Sequence, residues 1–222
     1  IFASNKLIRG EGPDTKLLLA NGQYCNVFRT MFNGPSNITI KDLLIDPNAA
    51  NNASPGTYDW LEICGVNTKT TGSTRGFNCG VENIWVENAE GLGVYAWGDR
   101  AFVRKSHFKG AKHDVAELCS GEGGEIVDSD CVLKNVDYAA FVFGEDDCND
   151  ALIGRNKVFV YDRGGGLQTI TEAIFRTWGG RYRKIIEANQ VIVPETASGG
   201  GVVNRVVLCN GYLNTISNNT FT

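Results

Sequence analysis

The segment that decides the fold is residues 137–158, DYAAFVFGEDDCNDALIGRNKV. An apolar run of strand length ends at Gly144, and three acidic residues, 145–147, follow it. The phrase Ile153-x-x-Asn156-x-Val158 then places apolar residues on both sides of an asparagine. Related segments recur along the chain, and such a repeat indicates structural units that stack on one another.

Eight-residue apolar segments that end in glycine are spread over the whole chain. Each segment is rich in β-branched and aromatic residues and is bounded by turn residues, which is typical of a strand. The shortest spacing is 23 residues, from Gly98 to Gly121. The segments end at Gly34, Gly65, Gly98, Gly121, Gly144, Gly179 and Gly211.

A second pattern, apolar-x-x-polar-x-apolar, follows most of these glycines. It predicts two short strands that meet at a polar corner, where Asn and Asp are favoured because they tolerate a left-handed backbone. A weaker early copy has Leu43 at the polar place. The other residues at that place are Ser106, Asp130, Asn156, Asn189 and Asn219.

One repeat therefore consists of a long strand, a turn and two short strands around a corner. Three strands in about 23 residues leave no room for a crossover helix, so successive repeats must pair as parallel strands roughly 4.8 Å apart. We predict an all-β fold, a single-stranded parallel β-helix with about seven coils and three short strands in each coil. We expect residues 1–222 to form a single domain and to be a fragment or the mature part of a longer chain.

The opening of the chain resembles the right-handed parallel β-helix of the pectate-lyase superfamily. The phrase I-x-G-x-G-x-x-T-x-L commonly opens the solenoid in that superfamily, and residues 8–17, IRGEGPDTKL, match it here. The resemblance covers nearly the whole chain and implies right-handed coiling. It implies no single activity, because the superfamily includes lyases, hydrolases, epimerases and phage spikes.

Composition and charge restrict the classes of partner. The net charge is −4, from 21 basic and 25 acidic residues, which argues against nucleic acid as the partner. No apolar run is long enough to insert in a membrane. Seven cysteines cannot form a closed disulfide set, and Cys64–Cys79 is the pair expected if one forms. Sequons at Asn37, Asn52 and Asn218 favour an extracellular, cell-surface or virion-surface location.

Acidic residues recur directly after three successive glycines, at Asp99, Glu122 and Glu145. In stacked coils these carboxylates would lie about 4.8 Å apart, where like charges repel unless they are solvated, protonated or bridged by a cation. We therefore predict either a Ca²⁺ site at these three residues or carboxyl groups that serve acid–base chemistry. The alternative is a solvated rim of ordinary turn residues.

Aromatic residues recur one and three positions before the glycines. The alignment predicts that they face outward beside Arg176 and form a stripe on which sugar rings could stack. The alternative is that the long loops cover the stripe as a second core. The stripe consists of Tyr95, Trp97, Phe143 and Trp178.

Residues 144–148, GEDDC, are similar to the D-D-C signature of polygalacturonase-type glycoside hydrolases, which share this fold. The resemblance implies that Asp146 and Asp147 activate water and protonate the leaving oxygen. The N-T-D and G-H-G motifs of that family are absent, which argues against membership. A lyase would instead need a Ca²⁺ or an arginine to neutralise a sugar carboxylate, with Arg176 or Arg181 as clamp or base.

These residue patterns are compatible with two functions. The first is a lyase-like or hydrolase-like enzyme that acts on an acidic polysaccharide. The second is a non-catalytic spike, adhesin or binding rod, which could be a homotrimer. His107 lies in a corner block away from the glycine-ended strands and is predicted to be structural. The first function assigns catalysis to Asp146, Asp147, Glu122, Glu145 and Arg176, and substrate binding to Trp97, Tyr95, Trp178, Phe143 and Arg181.

Overall fold

The computed structural model describes most of the chain in separate ranges. These ranges are residues 4–30, 34–52, 64–69, 74–119, 121–133, 139–144, 148–160, 173–178, 183–193, 205–210 and 212–222. Within them the regular elements are strands, apart from one turn of 3-10 helix at Ala49–Asn51. All strand pairs in the described part are parallel, so the chain returns to the same direction after each turn of a solenoid.

The front sheet contains seven described strands, one from each of seven successive levels of the solenoid. Six of these strands lie within the glycine-ended segments that were predicted to be strands, whereas β5 begins after Gly65, so that glycine precedes its strand instead of ending it. Its strands are β3 (Phe28–Arg29), β5 (Val66–Asn67), β7 (Val94–Trp97), β10 (Ala116–Cys119), β14 (Ala139–Phe143), β18 (Ala173–Thr177) and β21 (Val207–Cys209).

A fourteen-stranded sheet, counted over the described residues, supplies the other two faces. It is divided by the polar corner, which β4 (Ser36–Asp46) and β6 (Phe77–Ala89) cross. The side sheet, before the corner, adds β1 (Lys6–Arg9), β8 (Phe102–Arg104), β12 (Glu125–Val127), β16 (Leu152–Gly154), β19 (Ile185–Glu187) and β22 (Thr215–Ser217). The back sheet, after the corner, adds β2 (Lys16–Leu18), β9 (His107–Ala111), β13 (Asp130–Leu133), β17 (Lys157–Val160), β20 (Gln190–Ile192) and β23 (Thr220–Phe221). A separate pair, β11 (Gly121–Glu122) and β15 (Cys148–Asn149), links the front and side sheets.

The core lies between the three sheets and is built from stacked columns of apolar side chains. Because side chains alternate along a strand, every second residue of each strand enters the core. On the front sheet Phe141 pairs with Phe175, and their rings stack with centroids 6.3 Å apart. On the side sheet one column consists of Ile40, Val81, Val103, Ile126, Ile153 and Ile186.

The polar corner is held by a ladder of side chains that bind the backbone of neighbouring coils. Asn156 Oδ1 accepts a hydrogen bond from the Ser129 amide, and Asn156 Nδ2 donates to Ile126 O and to Asn189 Oδ1. Asn189 repeats these contacts with Asn219 in the next coil. The ladder satisfies buried backbone groups that no sheet partner reaches.

The residue before each ladder position has a left-handed backbone. The sequence predicted this conformation from Asn and Asp, but the chain also places Lys105, Arg155 and Ala188 there, with φ between 49° and 56°. Asp128 and Arg155 occupy the place in successive coils and form a two-point ion pair, with Nε–Oδ1 2.7 Å and Nη2–Oδ2 3.0 Å. The stacked corner therefore fixes the conformation even for residues that do not favour it.

The strand pairing corrects the alignment on glycines. Tyr95 pairs with Glu117 and Val142 pairs with Arg176, whereas the glycine alignment paired Tyr95 with Leu118. The coils that end at Gly121 and Gly144 are thus shifted by one residue, and a one-residue shift turns every side chain to the other face. The same shift replaces Asp130 by Ser129 in the corner ladder.

Two sequence-based expectations concern cysteines and membranes. All seven cysteines are free thiols, so Cys64 and Cys79 form no disulfide with each other. No helix in the described ranges has the length and apolar character needed to span a membrane.

We expect Asn156→Ala to destabilise the fold by about 1–3 kcal/mol, because it leaves the buried Ser129 amide without its partner and removes the hydrogen bond to the Ile126 carbonyl. Asn21→Ala removes an exposed hydrogen bond from Asn48 and should cost less than about 0.5 kcal/mol. Denaturant unfolding measures both losses. Equal stability of the two variants would contradict a structural role for the ladder.

Candidate functional site

The strand-end edge, defined as residues 97–100, 121–123, 148–150, 178 and 183, lies where the front strands turn into the side sheet. Here Asp99 and Glu122 lie on neighbouring coils, as the sequence predicted. The Glu122 backbone N–H donates to Asp99 Oδ1 at 3.1 Å, and the Arg100 amide donates to Glu122 O at 2.7 Å. The Asp99 carboxylate therefore helps to hold the turn.

The third coil of this edge carries an amide in place of a carboxylate. Glu122 pairs with Asn149, and Gly121 pairs with Cys148. Because Leu118 pairs with Phe143, the chain has two residues between 118 and 121 but four between 143 and 148. The two extra residues lie within 144–147, the segment that also holds the acidic triplet. The glycine alignment did not allow for this insertion when it matched Glu145 with Glu122. The predicted site residues Glu145, Asp146, Asp147 and Arg181 lie outside the described residues.

A cavity of about 350 Å³ opens on the strand-end edge. Its wall is made by residues that follow the front strands in successive coils. Three of them, Asp150, Arg183 and Leu213, have left-handed backbones with φ of 51°, 54° and 58°. This conformation turns their side chains toward one another. The lining consists of Glu122, Asn149, Asp150, Arg183 and Leu213.

The charges in the cavity have different roles. Arg183 pairs with Asp150, with Nε 2.5 Å from Oδ1 and Nη2 2.7 Å from Oδ2. This pairing leaves further N–H donors of the guanidinium available, since arginine has five. The Glu122 carboxylate is exposed and forms no ion pair with any described residue. The cavity thus combines an unpaired carboxylate with an anchored cation.

The outer face of the front sheet is buried, which favours the second-core alternative for most of the aromatic stripe. Tyr95 is only 3% exposed and packs in a small cluster with Cys64, Leu92 and Cys119. Trp97 is half-buried and packs against the same cluster. Neither ring offers a fully open face to a ligand.

Phe143 is on the opposite side of the sheet from the one predicted. It pairs with Leu118 and Thr177 and belongs to the main core. The prediction that Phe143 faces outward is wrong, because the coil is shifted by one residue relative to the glycine alignment. Its ring is fully buried and cannot stack on a sugar.

Arg176 and Trp178 lie together at the end of β18. The Arg176 guanidinium lies 3.8 Å from the centroid of the Trp178 ring. Arg176 is 7% exposed, so its outward position is covered, whereas Trp178 is 42% exposed. Of the four aromatic residues in the predicted stripe, Trp178 is the most exposed.

Glu117 is a buried carboxylate that the sequence patterns did not single out. It shares the outward column of Tyr95, Val142 and Arg176 and is 4% exposed. Its side chain lies over Gly144, where an added Cβ would be 2.7 Å from the Glu117 Cδ and would overlap the carboxylate. A larger residue at 144 would therefore have to displace this buried carboxylate.

Lys184 brings an amine into the interior next to the strand-end edge. It occupies the level held by Ala151, Gly124 and Ala101 in the preceding coils and is 1% exposed. Its Nζ donates to Trp178 O at 3.2 Å. Burial lowers the Lys184 pKa, partly opposed by nearby thiols. Burial also raises the pKa of the Cys148 thiol to about 12.

The described residues supply two carboxylates and one amide to the predicted Ca²⁺ site, at Asp99, Glu122 and Asn149. No cluster of three or more His, Cys, Asp or Glu residues suited to a metal occurs in the described ranges. A Ca²⁺ site therefore depends on Glu145 and stays a prediction.

The residues that line the cavity, apart from Glu122, were not predicted from the sequence. Asn149, Asp150 and Arg183 come together because successive turns stack, and the two-residue insertion obscured that alignment. The sequence patterns placed Glu117 in no column, and the strand pairing puts it beside Tyr95. The odd carboxylate inside the apolar strand AELC was the signal that could have identified it.

Comparisons with known proteins add one structure. No protein-family model and no curated protein matches the chain. Among solved structures, the Azotobacter vinelandii mannuronan C-5 epimerase AlgE6 A-module is similar, with a TM-score of 0.40 and 11% sequence identity. The alignment covers 99% of this chain and 84% of that chain. What the site can do therefore rests on its own residues.

We expect Gly144→Ala to destabilise the fold by about 1–3 kcal/mol, because the new methyl group displaces the buried Glu117 carboxylate. Glu117→Ala should relieve part of this loss, so the double variant is more stable than additivity predicts. A double-mutant cycle by denaturant unfolding measures the coupling. The same cycle with Glu125→Ala, on the side sheet, should be additive, and an additive Glu117 cycle would contradict the contact.

We expect alkylation at pH 8 to modify Cys25 long before Cys148. Cys25 is exposed, whereas the raised pKa of Cys148 keeps its thiol protonated and burial blocks the reagent. Peptide mass spectrometry after timed iodoacetamide treatment measures both rates. Denatured protein is the control, in which the rates should become similar. Equal rates in the folded protein would show that Cys148 is accessible.

Proposed function

We propose that this protein is a carbohydrate-active enzyme that acts on an acidic polysaccharide at the strand-end edge. The observation that carries the proposal is the cavity that the exposed Glu122 and the Arg183–Asp150 pair line together. A sugar carboxylate would bind the spare N–H donors of Arg183, because charge-assisted hydrogen bonds to guanidinium are strong. Glu122 would then exchange a proton with the bound sugar.

The described residues support lyase-like chemistry better than hydrolysis. Abstraction of the proton next to a sugar carboxylate needs one base and one cation, which Glu122 and Arg183 would supply. In the elimination, Glu122 would take the proton, the electron pair of the broken C–H bond would form a carbon–carbon double bond, and the leaving oxygen would depart with its bonding pair and take up a proton from water. Hydrolysis needs two available carboxyl groups, and Asp99 and Asp150 are already engaged. Asp146 and Asp147 stay predicted residues for a hydrolytic alternative.

We also propose the handedness of the fold, its ligands and the location of the protein. We place the chain among right-handed parallel β-helices related to the pectate-lyase superfamily, with about seven coils. Trp178 would stack on a sugar beside the cavity, because its ring is the exposed one. Ca²⁺ would bind near Asp99 and Glu122 if Glu145 completes the site. An extracellular or surface location would bring the protein to such a polymer.

A second candidate is a non-catalytic polysaccharide-binding rod or adhesin, which could be a homotrimer. It is favoured by the Asp99 carboxylate, which accepts a hydrogen bond from the backbone of the turn and is therefore already engaged. It predicts binding of an acidic polysaccharide without any product, and sedimentation would give the number of subunits.

We expect Glu122→Gln to lower the rate of product formation by at least about 100-fold, because the amide cannot take up a proton. Pectate, alginate and glucuronan are incubated with the protein, with and without a chelator, and unsaturated products are followed by ultraviolet absorbance. Glu125→Gln is the matched control, since Glu125 pairs with Arg104 on the side sheet. Equal rates for the two variants would exclude Glu122 as the base, and absence of product from all three polymers would favour the binding rod.

A further inference from the structure

The outer face of the back sheet carries a column of polar and aromatic side chains that the proposed function does not use. Strand pairing places Leu44, Trp85, His107, Asp130 and Lys157 on successive rungs of this column. The next residue along each strand points to the opposite face, so Val86 and Cys131 enter the core. Trp85, His107 and Asp130 therefore lie side by side on an accessible face.

Trp85, His107 and Asp130 hold one another in place. The indole and imidazole rings stack with centroids 5.0 Å apart and an angle of 20° between their planes. On its other side, His107 Nδ1 lies 2.6 Å from Asp130 Oδ2. The imidazole and the carboxylate are each 38% exposed. This hydrogen bond fixes the ring and directs Nε2 away from Asp130, so the second nitrogen can contact a ligand.

A trough with a cavity volume of about 280 Å³ runs beside this column. One wall is formed by Trp85, His107 and Asp130, and the other by Glu87, Lys109 and Val132. The second wall is a column of its own, because Glu87 pairs with Lys109 and Lys109 pairs with Val132. The trough is close to the lower end of the size range of ligand sites in proteins.

The charged groups of the second wall are available to a ligand. Glu87 and Lys109 lie on neighbouring rungs, yet neither forms an ion pair with a described residue. The trough thus offers two carboxylates, one ammonium, one imidazole and the apolar edge of an indole. The lining therefore includes both hydrogen-bond acceptors and donors.

The chemistry of the trough selects among ligand classes. Two carboxylates against one ammonium give the lining an excess of acidic groups, which disfavours phosphate, sulfate and uronate groups. A metal ion would need a cluster of ligands that the described residues do not form. An apolar segment would leave the charged groups buried and unpaired. A polyhydroxylated ring, in contrast, can donate to the carboxylates, accept from the ammonium and place C–H groups against Trp85.

We propose that this trough is a binding site for a neutral saccharide residue. It lies on the back sheet, whereas the strand-end edge joins the front and side sheets, so the two sites can be occupied together. The trough does not depend on the proposed enzymatic function and can bind sugar even if the strand-end edge is inactive. A neutral sugar here would attach the rod to a polymer while the acidic polymer occupies the other site.

The two histidines of the chain provide the test. His113 is buried and paired with Asp114, with Nδ1 2.9 Å from Oδ2, so it serves as an internal control. Imidazole resonances of the full chain are recorded by NMR during titration with neutral cello-, manno- and galacto-oligosaccharides and with oligogalacturonate. We expect saturable shifts of His107 with at least one neutral sugar, without shifts of His113. No shift at His107 up to about 10 mM sugar, or a response to oligogalacturonate alone, would overturn the proposal.

Variants then test the lining. Glu87→Gln and Asp130→Asn should each weaken neutral-sugar binding by about 10-fold or more, as loss of a charge-assisted hydrogen bond predicts. Asp128→Asn is the matched control, because Asp128 pairs with Arg155 outside the trough. Glu87→Gln changes a surface side chain and should leave the folded NMR spectrum intact. Equal affinity in Glu87→Gln, Asp130→Asn and Asp128→Asn would show that the sugar binds elsewhere.

Discussion

The structure depends on the hydrogen bonds that tie each coil to the next at the polar corner. A parallel sheet alone tolerates sliding of one strand past another, whereas a side-chain amide that binds two neighbouring coils fixes one register. Asn156 does this by accepting from the Ser129 amide of one coil and donating to Asn189 of the other. Every column of side chains on the three sheets, including those of both candidate sites, depends on that register.

The general fold could be predicted from the sequence because its signals are local. Apolar segments, glycines and the block Ile153-x-x-Asn156 recur at short spacing, and only stacking can bury their apolar faces. The exact column of each residue could not be predicted in the same way. A glycine marks the end of a strand only approximately, since β5 begins directly after Gly65, whereas the identity of a column needs the register itself. For this reason Phe143 lies in the core, although the glycine alignment placed it on the outer face.

The candidate sites differ in how far sequence could reach them. Asp99 and Glu122 belong to adjacent coils without an insertion, and their proximity was predicted. The Arg183–Asp150 pair depends on left-handed turns at both residues, for which arginine gives no sequence signal. The Trp85–His107–Asp130 group crosses three coils of the back sheet, where its members are 22 and 23 residues apart in sequence. Neither distance from the glycines nor residue type indicated that they would meet.

Lys184 has a consequence for the motion of the solenoid. An amine stands in the interior at a level where the three preceding coils carry Ala or Gly, and burial disfavours its charged form. The coil that contains it therefore has a smaller free energy of local opening than coils with an apolar interior. Because Arg183 precedes it directly, the wall of the strand-end cavity belongs to this weaker coil. Local opening of β19 would carry Arg183 away from Asp150 and so take apart the cavity wall.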